Sequence, residues 1–107
     1  MIFCVEILTQ NFQSQLITLL QRSGYPIIRQ NITIAGHEGP CEVIEVSPRL
    51  LFLASKLATG LACNVYVWDE GLLAYRSFPA YRFARMQGLP PRDQLLKMRC
   101  HAPPPDF

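Results

Sequence analysis

Cysteine is present but never paired along the chain: Cys4, Cys41, Cys63 and Cys100 are far apart, and no Cys-x-x-Cys occurs. That excludes a zinc knuckle and a thioredoxin-type motif. Nor does any stretch reach the roughly 18–20 consecutive apolar residues of a membrane-spanning helix, so no membrane association is expected. The opening MIFCVEIL lacks a basic leader and a small-residue cleavage site, and Glu6 interrupts its apolar run. A secretory signal is therefore not expected, and the chain reads as a soluble cytoplasmic protein. Basic runs are missing too. Ten Lys+Arg against eight Asp+Glu leave a formal charge of +2, scattered from Arg22 to Arg99. Neutralising several phosphates takes a basic patch, so no nucleic-acid partner is expected. Arg76, Arg82, Arg85, Arg92, Lys97 and Arg99 make the last third basic, and they read as a solvated face. Internal repeats and linkers are also absent.

What remains is a chain of 107 residues, 50% of them hydrophobic, enough for one core without metal or disulfide. Residues 1–100 read as a single α/β domain, and 101–107, with three consecutive prolines, as a flexible polyproline-like tail. In a reducing compartment the cysteines behave as small hydrophobes, and Cys4 and Cys63 fall at strand positions that suit this.

The organising stretch is 61–90. Leu61, Cys63, Val65 and Val67 alternate with Ala62, Asn64, Tyr66 and Trp68, which predicts a strand with two unlike faces. Asp69-Glu70-Gly71 then reads as a three-residue hairpin loop with glycine at a positive φ, and Leu72 to Arg76 as the antiparallel return. Pro79 opens a short helix to about Gln87, and Gly88 ends it. Upstream, residues 2–8 predict a strand. Thr9 or Asn11 caps a helix carrying Phe12, Leu16, Leu19 and Leu20, which Gly24 stops. Ile27–Ile34 and Cys41–Val46 predict two more strands around the turn at 35–40. Ser47-Pro48 starts a helix to about Ala58 whose leucines and Phe52 span an arc too wide for an ordinary surface helix. Such a helix is deeply packed or covered by a second subunit. Past Pro90-Pro91, Leu95 and Leu96 could dock a further turn or two of helix. The fold class is α+β, in the order β-α-β-β-α-β-β-α, two-layered, with a mainly antiparallel sheet and helices on one face.

Chemistry is thinly signalled. His37-Glu38 sits on a glycine-flanked loop, but adjacent residues there point in different directions, and the pair reads as an exposed turn. Cys41 beside His37, or Cys100-His101, offers too few ligands for a metal site. Tyr66 and Trp68, with Tyr75 and Tyr81, could line an aromatic pocket in which Arg76 and Arg85 fork a carboxylate or phosphate; the alternative is that these rings form a second covered face. Asp69 reads as a turn residue.

The order of Val65, Val67, Trp68, Asp69, Gly71, Tyr75, Pro79, Ala80, Tyr81, Arg85, Gly88, Leu89 and Pro90 resembles the C-terminal half of the bacterial domain-of-unknown-function 302 family. Ser47-Pro48 and Ser23-Gly24-Tyr25 extend the resemblance over most of residues 2–90. It implies a compact two-layer α/β fold and no assigned activity. Two departures stand out. Family members often carry a proline entering the central strand, where this chain has Leu61-Ala62-Cys63-Asn64. Others carry a histidine after the helix arginine, where this chain has Met86-Gln87, so no role through that histidine carries over. Asn64 and Cys63 remain possible contacts.

The functional expectation is a non-enzymatic small-molecule-binding or assembly module, homodimeric, with no cofactor indicated. Its ligand site would comprise Tyr66, Trp68, Tyr75, Arg76, Tyr81 and Arg85. The alternative is a thiol-dependent redox or sulfur-handling protein using Cys41 or Cys63, which would need a lowered thiol pKa.

Overall fold

The computed structural model describes residues 2–34 and 38–86. His37, the Leu95–Leu96 segment, Cys100-His101 and the proline-rich 101–107 lie outside the described residues. Strand β1 (Phe3–Glu6) leads into helix α1 (Gln10–Arg22), then β2 (Arg29–Ile32) and β3 (Cys41–Val46). A 3-10 turn (Pro48–Leu50) continues into α2 (Leu51–Leu57), followed by β4 (Asn64–Asp69), β5 (Ala74–Pro79) and α3 (Ala80–Ala84). The expected order of elements is the order observed. All strand pairs are antiparallel, and the sheet order is β2-β3-β1-β4-β5.

That order comes from two interleaved βαβ units. β1-α1-β2 leaves room for β3, and β3-α2-β4 leaves room for β1, so each helix crosses over one strand. The right-handedness of such crossovers sends both helices to the same side of the sheet. Phe3, Val5, Ile44, Val46, Val65, Val67 and Phe78 face that side and pack against Phe12, Leu16 and Leu20 of α1, Leu51 and Ala54 of α2, and Phe83 of α3. Burying each larger side chain stabilises by about 1.5–3 kcal/mol.

Local chemistry sets the helix ends. Thr9 Oγ1 accepts from Phe12 N at 3.1 Å, so of the two candidate N-caps Thr9 is the one used and Asn11 lies inside the helix. At the other end Gly24 has φ 71°, Gly24 N donates to Gln21 O and Tyr25 N to Leu20 O, which is the Schellman arrangement. Ser47 Oγ likewise accepts from Arg49 N at 3.2 Å.

Four expectations need correction. The helix after Ser47 is not one α-helix: its first turn is 3-10, and its buried positions are Leu51, Ala54, Ser55 and Ala58. Leu53 stays 44% exposed, so the wide leucine arc is not fully packed within the described chain. The fourth strand begins at Asn64, because Leu61 N donates to Ala58 O and Ala62 sits at φ 54°, turning residues 60–62 out of extended geometry. The hairpin loop has four residues, 70–73, and the left-handed one is Leu73 at φ 51°, not Gly71. Asp69 Oδ1 accepts from Gly71 N at 2.8 Å and Leu72 N at 3.2 Å, so the aspartate itself bends the chain. Glycine is favoured at 71 because a Cβ there would lie 3.2 Å from Asp69 Oδ1. The return strand therefore runs through Pro79, which ends β5 and precedes α3, and α3 stops at Ala84.

Candidate functional site

The sheet face turned away from the helices is also buried, and it is chemically mixed. Cys4, Cys41, Val43, Tyr66, Ile32 and Ile34 form its apolar cluster, with Tyr75 packed alongside. Strand alternation puts Glu6 and Glu45 among them, since Glu6 follows Cys4 by two residues and Cys4 pairs directly with Glu45 and Tyr66. Each carboxylate meets neutral donors. Glu6 Oε2 accepts from Cys41 Sγ at 3.1 Å and from Tyr66 Oη at 3.4 Å. Glu45 accepts from Tyr25 Oη at 2.9 Å and from Gln30 Nε2 at 3.4 Å. The Cys63 thiol, reaching from the other side of the sheet, donates to the Glu6 carbonyl at 3.1 Å.

These surroundings hold protons on the acids that line them. Burial pushes the Cys41 thiol up to about 12, aided by its hydrogen bond to Glu6 and by that carboxylate's charge. Burial and the Glu6 charge do the same to Cys63, also to about 12. Cys4 rises to about 11, through burial first and Glu45 second. Tyr66 is raised by burial and then by Glu6; Tyr25 and Tyr75 move the same way, with burial the leading cause. Desolvation and a neighbouring anion both disfavour a second negative charge. Thiol and phenol therefore serve as donors to the half-buried carboxylates, a satisfied hydrogen-bond network rather than an acid–base pair. Among the described residues no three His, Cys, Asp or Glu side chains are grouped to hold a metal ion.

The six residues expected to form one ligand site are divided by the sheet. Tyr66, Trp68 and Tyr75 share the face away from the helices, where Trp68 and Tyr75 are cross-strand partners with rings edge-on at 5.0 Å. Arg76 pairs with Val67 and so belongs to the helix side. Its guanidinium lies 5.7 Å from the Phe78 ring centre and 3.6 Å from Asp69 Oδ2. Tyr81 and Arg85 belong to the α3 region, with the Arg85 guanidinium 5.7 Å from the Tyr81 ring centre. An odd and an even residue of one strand cannot share a face, which is why 75 and 76 separate.

Tyr81 instead joins residues the sequence did not single out. A cleft of about 220 Å³ lies at the end of the sheet where β4 begins and β5 ends. Ala58, Thr59, Gly60 and Ala62 form one wall, Cys63 stands at the entry to β4, and Pro79, Ala80 and Tyr81 form the other wall. The walls are tied where Ala80 N donates to Cys63 O at 3.0 Å. Gly60 at φ 91° and Ala62 at φ 54° turn the chain around the opening. A left-handed alanine is a conformation that its surroundings must impose. Small side chains on both walls leave the space; Ala58, Gly60, Ala62 and Ala80 carry at most one carbon beyond the backbone. That run of small residues was the sequence signal for the cleft, but only a fold that brings 58–63 to 79–81 gives it meaning. Glu6 and Glu45 carry no such signal in the sequence: Glu6 reads as a break in an apolar run and Glu45 as one polar residue of a strand whose alternation is imperfect.

No protein-family model, curated protein or solved structure matches this chain.

Proposed function

We propose that this protein is a non-enzymatic small-molecule-binding module whose site is the cleft between the 58–63 turn and the start of α3. The observation that carries this reading is the cleft itself, with Tyr81 and Cys63 in its walls. The opposite sheet face is the poorer candidate, because Tyr66 is 2% exposed and its hydroxyl already donates to Glu6. The volume sets the ligand's size. Pockets for drug-sized ligands run to about 300–1,000 Å³, so a cleft of this size suits a fragment and not a nucleotide or flavin.

A fragment screen read by amide NMR tests the reading. Binders should shift the resonances of 58–63 and 80–81 together, and Thr59→Trp, placing an indole at the exposed rim, should abolish those shifts while leaving the rest of the spectrum folded. Shifts centred on Tyr66 and Tyr75, or none from a broad screen, would refute the cleft.

The thiol-dependent alternative keeps one favourable observation, Cys63 on the cleft wall. Against it stand burial and a nearby carboxylate, Glu45 for Cys4 and Glu6 for Cys41 and Cys63, which push all three described thiols up.

Assembly as a homodimer belongs to the same proposal, supported by leucines left in solvent: Leu53 at 44%, Leu72 at 56% and Leu73 at 76%. Light scattering should give twice the 12.2 kDa chain mass at high concentration, falling on dilution. The chain mass at every concentration would exclude the dimer. We also propose a bacterial, cytoplasmic protein of the domain-of-unknown-function 302 type, supported by the motif order around Trp68 and the two-layer architecture. Among the described residues no helix is long and apolar enough to cross a membrane. Cell fractionation tests the location, and recovery in the membrane or secreted fraction would count against it.

A further inference from the structure

The cleft is lined by uncharged groups between segments whose charged residues are all cationic, while the Glu6 carboxylate acts on the Cys63 wall from the far face of the sheet. Its lining side chains, Thr59, Cys63 and Tyr81 among them, are all neutral. The segments that build it, 51–63 and 79–86, contain Lys56, Arg82 and Arg85 and not one Asp or Glu. The ion pair found among the described residues, Arg76 with Asp69, involves none of these three cations. Lys56 rests over the Phe52 ring at 5.1 Å. Arg85 does not line the cleft itself but rests over the ring of Tyr81, a wall residue, with its guanidinium 5.7 Å from the ring centre.

From this juxtaposition, and resting on the cleft reading above, we infer that the ligand is a small monocarboxylate of about the size of benzoate. Its uncharged body lies between the 58–62 turn and Tyr81, and its carboxylate turns outward to Arg85. A charge deeper in the cleft would lose its water with no counter-ion on either wall, which is costly. A planar guanidinium stacked on the Tyr81 ring can donate two parallel hydrogen bonds to a carboxylate that leaves the cleft past that ring. The Cys63 thiol proton is committed to the Glu6 carbonyl, so it does not compete for the ligand's oxygens.

Benzoate and its neutral isostere benzamide separate the cleft from the charge. In NMR titrations of the full chain, benzoate should shift the amides of Ala62, Cys63 and Ala80, and benzamide should bind the same site roughly tenfold more weakly, the weight of about one charge-assisted contact. Arg85→Gln should remove that difference by weakening benzoate alone, and Arg85→Lys should restore part of it. Equal affinity for the two compounds would overturn the carboxylate inference and leave the cleft standing. Failure of both to shift the cleft amides at millimolar concentration would overturn the inference and the binding reading together. Benzoate preference that survives Arg85→Gln would overturn the assignment to Arg85.

Discussion

Phe83→Ala should cost about 3–5 kcal/mol of stability, the usual result of emptying a buried aromatic site. Against the roughly 5–15 kcal/mol that holds a domain of this size together, that removes about a fifth of the total or more. The effect is expected to be large because Phe83 is 1% exposed and is the main anchor of a very short helix. α3 has five residues, too few to stand on its own hydrogen bonds, so it is ordered by what it buries. Phe83 meets Phe78 edge-on at 6.0 Å, tying α3 to β5, and both rings belong to the helix-side core. Urea unfolding measures the loss, and Tyr81→Ala on the same helix supplies the contrast. Tyr81 is 43% exposed, and its truncation should cost about 1 kcal/mol or less. Equal costs for the two would show that α3 is not held as described. Because Ala80 and Tyr81 form a wall of the cleft, fragment binding should weaken in Phe83→Ala even where the protein remains folded.

The second large effect is on the thiols. In a Cys100→Ser background, Cys4, Cys41 and Cys63 should resist alkylation at pH 8 until the chain unfolds. Raising a thiol from its ordinary value near 9 to about 12 lowers the thiolate fraction roughly a thousandfold at that pH, and to about 11 roughly a hundredfold. Burial adds a further barrier. Mass spectrometry after brief iodoacetamide exposure, with and without denaturant, reads the difference. A cysteine that alkylates at the free-thiol rate in the native protein would restore the thiol-dependent function to first place.

The same shifts predict how stability responds to alkali. These acids keep their protons to a higher pH folded than unfolded. Between about pH 9 and 12 the native state binds more protons, and stability falls as pH rises. Below about pH 9 both states are protonated and this contribution is whole. Tyr66, also raised, steepens the loss at the alkaline end. Denaturation midpoints should therefore be insensitive to these groups from neutral pH to about 9 and drop beyond it. Cys41→Ala and Cys63→Ala should each flatten the alkaline fall, and an unchanged slope in both would refute this account.

Much of the architecture was readable in the residues themselves because each feature depends on near neighbours. Thr9 and Gly24 bracket α1 through bonds that span three to five residues. Val65 and Val67 must oppose Tyr66 whatever the rest of the molecule does, since successive side chains on a strand point to opposite faces. The sequence places a bend at Asp69–Gly71, yet an aspartate oxygen can close a turn as well as a glycine φ can, and the positive φ falls on Leu73.

The site was not readable in the same way, and the reason is distance along the chain. Tyr75 and Arg76 are neighbours in sequence, yet the sheet lies between them; Thr59 and Tyr81 are twenty-two positions apart, yet they face one cavity. Glu6 becomes a half-buried acceptor only when β3 brings Cys41 and β4 brings Tyr66 to it. Composition, alternation and capping act over a few residues and determined the elements and their order. Which side chains share a face, a cavity or a proton was decided by the crossovers that insert β1 between β3 and β4, because only that packing converts separate stretches of chain into one surface.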